Sequence, residues 1–237
     1  MTQEMQIVEP EEISLSKKLI KTVFAEAIRG KSLYRTLMNY CLSEFELEGD
    51  IIDLGTGSEQ ASYYRFIKFK KPYNVTYTDY YRTGANLVKL DLEAPFPFER
   101  GSFDRVMCFN VLEHVYRFEN VVKESYRILK KGGLFVGSAP FRYIYHPDPH
   151  DYFRYSHESL QRMFEEAGYI CSRMIYIGLG PFSSSIAQWA VPLPKLLKPW
   201  PVLVGIFFDE VCKKLSRRSR VKHHQLGYVF VFEKSSD

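Results

Sequence analysis

The residues best suited to chemistry begin at Asp50-Ile51-Ile52-Asp53-Leu54-Gly55-Thr56-Gly57-Ser58, an apolar run that ends in an acid and a glycine pair. Gly55 and Gly57 permit a tight turn and close backbone approach, so a ligand can lie against amide N–H groups at the start of the next helix. A dinucleotide fingerprint needs a third glycine at position 60, and Gln60 stands there. A ligand with a charged amino-acid portion instead wants an acid at the strand end, and Asp53 suits it. A second concentration follows Ser138: Ala139-Pro140-Phe141-Arg142-Tyr143-Ile144-Tyr145-His146-Pro147-Asp148-Pro149-His150-Asp151-Tyr152-Phe153-Arg154-Tyr155. Loops on a rigid scaffold collect catalytic groups. His150, then His146, with Asp151, are the candidate general base and its partners, in an aromatic wall for a polar acceptor such as a sugar. The competing readings are a lid whose acids pair with Arg142 and Arg154, and an ion held by His146, Asp148 and His150. The prolines rule out the helical i, i+4 histidine geometry of zinc enzymes, so no metal ligands are assigned.

Short apolar runs separated by helical periods must position these groups, the pattern of a parallel sheet with crossover helices. Strands are expected at Asp50–Leu54, Val75–Asp79, Asn86–Leu90, Asp104–Phe109, Gly133–Ser138, Ile170–Ile177 and Leu226–Glu233. The expected fold is α/β: a Rossmann-like, seven-stranded, mostly parallel sheet with helices on both faces and an antiparallel last strand. Residues 1–48 read as an N-terminal helical extension. Its first helix carries Ile20, Val23, Phe24, Ala27 and Ile28 on one stripe. In the second, Ser32 caps a face of Leu33, Leu37, Tyr40 and Cys41. Residues 49–237 read as the main domain. Within it, one helix spans Glu119–Lys130 and stops at Gly132-Gly133. Another starts at Ser156 and buries Leu160, Met163, Phe164 and Ala167. A proline-rich helical insertion at about 178–220 holds Trp189 and Trp200, as a broken helix and then a helix from about Pro201 to Leu215. On that helix Phe208, Val211, Cys212 and Leu215 share a face, opposite Asp209, Glu210, Lys213 and Lys214.

The stretch from Asp50 to about Glu166 resembles the class I S-adenosylmethionine-dependent methyltransferase family, in its type 11, small-molecule branch. Asp53-Leu54-Gly55-Thr56-Gly57 is similar to its D-x-G-x-G, with Glu59 where a third glycine is common. Phe109-Asn110-Val111-Leu112-Glu113-His114 is similar to its N-x-L-E-H, and Arg127-Ile128-Leu129-Lys130-Lys131-Gly132-Gly133 to its R-x-L-K-P-G-G. The resemblance implies S-adenosyl-L-methionine as cofactor, held by Asp53, Gly55, Thr56 and Gly57. It implies Asp79 on the ribose hydroxyls and Tyr80 against the adenine. Asp91 would meet the adenine amino group and the Leu92 backbone the ring, with Asn110 and His114 against the methionine part.

Family membership implies the cofactor and leaves the acceptor open. A hydroxyl benefits from a base such as histidine, so the loop favours O-methylation of a small-molecule or glycan-type acceptor, lipid-linked forms included. RNA methylation is the alternative, suggested by the basic run Lys213, Lys214, Arg217, Arg218, Arg220 and Lys222. Against it, Asn110-Val111-Leu112-Glu113 lacks the proline pair of enzymes that methylate base amines, so nucleic acid is a weak expectation. A non-catalytic cofactor-binding module is a third reading. Net charge is only +4 over 237 residues, and four scattered cysteines with no C-x-x-C pair suit a reducing compartment. With no basic, apolar leader at the start, the expectation is a cytoplasmic protein. A peripheral membrane contact or a homodimer surface at 178–220 stays open.

Overall fold

The computed structural model describes residues 6–58, 60–190, 192–216 and 223–235. Glu59 and the basic residues Arg217, Arg218, Arg220 and Lys222 lie outside the described residues. Eight strands form one sheet: Glu11–Glu12 (β1), Glu46–Asp53 (β2), Lys68–Asp79 (β3), Leu87–Lys89 (β4), Phe103–Phe109 (β5), Leu129–Pro140 (β6), Tyr169–Ile177 (β7) and Gly227–Lys234 (β8). Their order is β1-β7-β8-β6-β5-β2-β3-β4. β8 runs antiparallel between β6 and β7, and the other pairs are parallel. The strand beyond the expected seven is β1, two exposed glutamates paired with Ile175 and Tyr176 at the sheet edge. Two polar residues carry no alternation to read. From β2 the chain first builds outward to β4, then crosses back to β5. The crevice above the β2–β5 boundary is therefore the switch point where open α/β sheets bind ligands.

Among the described residues, six α-helices cover the sheet: Lys17–Ile28 (α1), Leu33–Leu42 (α2), Phe118–Ile128 (α3), His157–Glu166 (α4), Pro181–Trp189 (α5) and Pro199–Ser216 (α6). Strand alternation divides them. Ile51, Met107, Val136 and Val229 pack with α1, α2 and α6 on one face. Their neighbours Ile52, Val106, Phe135 and Phe230 pack with α3 and α4 on the other. Ser16, Ser32 and Ser156 cap α1, α2 and α4 by accepting from amides three residues on.

Three local expectations need correction. On α1, Ile20 and Ile28 are exposed while Leu19, Val23, Glu26 and Ala27 are buried. Glu26 turns inward because it pairs with Arg29 and Arg65 at 2.6 and 2.7 Å, which rotates the helix off its apolar stripe. α3 stops at Ile128, because Leu129 already joins the sheet opposite Phe103. Lys130–Gly133 then bulge before Leu134 pairs with Arg105, with Gly132 at φ 70°. On α6, Asp209 is buried with Val202 and Ile206 on the inner side, and its carboxylate accepts the Phe182 and Ser183 amides at 2.8 Å each. The outer side is apolar too: Trp200, Val204, Phe207, Phe208 and Leu215 are exposed.

Candidate functional site

β2 delivers Asp53 to the crevice fully buried. The Tyr63 and Tyr64 hydroxyls both donate to its Oδ2, at 2.6 and 2.5 Å, while the buried Oδ1 has no hydrogen-bond partner. Burial pushes the carboxyl up to about 7, against the lowering effect of the two hydroxyls. A bare buried acceptor beside a raised carboxyl fits a cationic donor such as an ammonium group. Neither tyrosine stands out in the sequence, because nothing in a Tyr-Tyr pair marks where its hydroxyls converge.

Gly55 and Gly57 have φ of 73° and 67°. Their amides are spent on β3: Gly55 donates to Thr78 Oγ1 at 2.9 Å and Gly57 to the Thr78 carbonyl at 3.0 Å. The expected helix after this turn is only the short 3₁₀ segment Ser62–Arg65. The turn thus shapes the crevice by close approach. A Cβ on Gly57 would sit 2.7 Å from Asp79 Oδ2 and closer still to Arg82. Thr56 Oγ1 lies 2.7 Å from the Tyr63 hydroxyl, tying the turn to the Asp53 cluster.

Asp79 ends β3 and Asp91 follows two residues after β4, and the Leu90 amide donates to the Asp79 carbonyl at 2.9 Å. Asp79 is engaged. Its Oδ1 accepts the Tyr81 and Arg82 amides, and its Oδ2 takes the Arg82 guanidinium at 2.7 Å. The Arg82 hydrogen bond holds the carboxyl below its ordinary value, with burial opposing. Tyr80 is exposed and edge-on to Tyr81. Asp91 Oδ1 accepts the Glu93 amide, and the carbonyl of half-buried Leu92 is held by Asn120.

At the end of β5, Asn110 has φ 56°, a left-handed conformation that asparagine tolerates better than most residues. Its side chain turns towards α2, where Oδ1 accepts from Tyr34 and from Ser138 Oγ. The next turn, Leu112–His114, buries Glu113 completely, with neither carboxylate oxygen hydrogen-bonded. Burial pushes this carboxyl up to about 8. His114 Nδ1 lies 2.5 Å from the His150 carbonyl.

The loop after β6 folds over this turn, because the Tyr152 amide donates to the Glu113 carbonyl at 2.8 Å. His146 is half-buried, its ring edge-on to His114 at 5.0 Å and its Nδ1 3.0 Å from the Ile144 carbonyl. Burial holds its pKa below the ordinary histidine value. Asp151 accepts the His146 amide at 2.9 Å and both guanidinium nitrogens of Arg154. The arginine bonds lower its carboxyl to about 2, so it positions the loop as a fixed anion. His150 contributes its carbonyl, while its ring is exposed against Tyr152. Of the expected lid pairings, Arg154 meets an acid, and Arg142 meets His224 Nδ1 at 2.8 Å.

Beyond Tyr143, whose ring contacts both Tyr34 and His146, a cavity of about 230 Å³ opens between α1, α2 and the helical insertion. Lys31, Arg35 and Lys198 line it beside apolar groups from α5 and α6.

Residues 52–137 match the family described as "Methyltransferase domain". No curated protein matches the chain. Among solved structures, the 1,6-didemethyltoxoflavin-N1-methyltransferase of Burkholderia thailandensis, with bound 1,6-didemethyltoxoflavin and S-adenosylhomocysteine, is 10% identical. The match covers 95% of this chain and 94% of that one, with a TM-score of 0.53. The [4+2]-cyclase SpnF is 13% identical over 84% of this chain and 80% of its own, also with a TM-score of 0.53. At such identities the likeness is one of fold.

Proposed function

Because this chain carries a class I S-adenosylmethionine-dependent methyltransferase domain, we propose that it transfers the cofactor's methyl group to a hydroxyl oxygen of a small-molecule or glycan-type acceptor. The cofactor supplies a methyl group activated by a positively charged sulfur. Asp53 holds the cofactor's ammonium through its unpartnered Oδ1. Asp79 takes the ribose hydroxyls once Arg82 yields, and Asp91 and Leu92 bound the adenine.

One observation carries the hydroxyl reading. A carbonyl only accepts hydrogen bonds, so the contact to Ile144 fixes the proton of neutral His146 on Nδ1. Nε2 is left as a bare lone pair. A half-buried imidazole with a depressed pKa is neutral at pH 7 and ready to take a proton. His146, with Nε2 bare on a half-buried ring, is thus placed for the base role ahead of His150, whose ring is exposed. Asp151, clamped by Arg154, is a positioning residue.

The cavity beyond Tyr143 supports an acceptor with an anionic group facing Lys31, Arg35 and Lys198. The outer face of α6 supports a lipid-linked form of it. Trp200, Val204, Phe207, Phe208 and Leu215 fall on one side of the helix, with Lys213 and Lys214 in its last turn, the composition of a helix lying in an anionic lipid surface. Among the described residues, no helix is long and apolar enough to cross a membrane.

Incubation with methyl-labelled S-adenosylmethionine and fractionated small-molecule, glycolipid and RNA extracts tests the proposal. Label in a base-stable ether of the first two fractions supports it. Label in RNA, or cofactor binding without transfer to any fraction, overturns it.

A further inference from the structure

We propose that Glu113, His114 and His146 form a binding site for a divalent transition-metal ion at the floor of the acceptor loop. One potential ligand atom from each of the three side chains lies within 4.8 Å of the other two. Sequence reasoning weighed His146, Asp148 and His150 and assigned no metal. The fold brings His146 to Glu113 and His114 instead, because the loop after β6 is pinned by its amides to the Glu113 carbonyl.

Two observations point to a cation. Glu113 is fully buried with neither oxygen hydrogen-bonded, whereas buried polar groups nearly always have partners. A metal ion would give this carboxylate the partner that the protein withholds. Both imidazoles are also pre-set as ligands. His114 donates from Nδ1 to the His150 carbonyl and His146 from Nδ1 to the Ile144 carbonyl. Each therefore keeps its lone pair on Nε2, and such backing of the second ring nitrogen is usual for metal-bound histidine. His114 Nε2 already lies 3.7 Å from Glu113 Oε1.

Two imidazoles and one carboxylate suit zinc, iron(II), cobalt(II) or manganese(II), while magnesium and calcium prefer all-oxygen sets. Three protein donors leave a position for water or an acceptor oxygen. Half-exposed His146 provides the way in. An ion here would occupy the lone pair assigned above to the base, so metal binding and proton transfer at His146 exclude one another. The inference stands apart from the methyl-transfer reading, since binding is measured with neither cofactor nor acceptor.

The test uses untagged protein, stripped with a chelator and titrated with Co²⁺ as an optical probe, then with Zn²⁺ in competition. One Co²⁺ per chain should bind, with ligand-field bands that Zn²⁺ abolishes. His146→Ala and His114→Ala should each weaken binding by at least about tenfold, while His150→Ala, which keeps its backbone carbonyl, should not. Glu113→Gln should act like the histidine variants. Should that buried variant fail to fold, the more accessible His146 still decides. No stoichiometric Co²⁺ binding, or equal binding by wild type and His146→Ala, overturns the site.

Discussion

The Tyr63 hydroxyl donates to Asp53 Oδ2 at 2.6 Å, so one oxygen of this buried carboxyl is saturated while the other stays bare. The burial of Asp53 sets a pH dependence. With the folded pKa at about 7 and the ordinary value at 3.8, the folded chain holds an extra proton between them. Through this group the ligand-free protein loses stability as pH rises across that window. Cofactor binding runs the other way, because an ammonium needs the ionised carboxylate. Calorimetry should find S-adenosylmethionine bound roughly tenfold more tightly at pH 8 than at pH 6. Asp53→Asn should bind weakly at both, and a pH-independent wild type contradicts the assignment.

On the proposed function, Arg82 competes with the ribose for Asp79. Their ion pair is largely exposed on the arginine side, so releasing it costs little. Asp79→Ala should weaken cofactor binding by at least about tenfold through two lost charged hydrogen bonds. Arg82→Ala should bind no more weakly than wild type. A large loss in Arg82→Ala would make the arginine a ligand contact.

Turnover should separate the two loop histidines. His146→Ala is expected to lower kcat by about 10²–10⁴ with cofactor affinity unchanged, and His150→Ala to remain near wild type. Only neutral imidazole accepts a proton, so the rate should rise with pH through a pKa below the ordinary histidine value of 6.5 and then level off. If His150→Ala is the crippled variant, the roles are reversed.

The outer face of α6 should bring the protein to lipid. Flotation with anionic liposomes at low salt should carry wild type upward, and high salt should weaken the effect. Trp200→Ala combined with Phe207→Ser should abolish it. If wild type stays at the bottom at low salt and sediments as a dimer, the face belongs to a second copy.

Much of the scaffold was legible because it obeys simple periods. The strand into Asp53, the acids ending β3 and following β4, and the serine caps of α2 and α4 follow from local sequence. What escaped depends on distant partners. Glu26 is buried by Arg65, thirty-nine positions along the chain. Asp209 reads as an outward charge until the α5 amides are seen to need it. Glu113 was visible within its motif, but no local signal says that a carboxylate will be sealed in without a donor. The shift of emphasis from His150 to His146 has the same origin, since only the fold shows which ring nitrogen is spent on a carbonyl.

The placement of β8 also governs how the chain reaches this state during synthesis. β6 and β7 do not pair with each other; each is zipped to β8 along most of its length. Until residues 227–234 have been made, two long apolar strands wait with open edges, and such edges invite pairing with other chains. The sheet thus closes from its middle and late. A nascent chain stalled before Gly227 should be a substrate for chaperones, and a version ending at Leu226 should be found in the insoluble fraction.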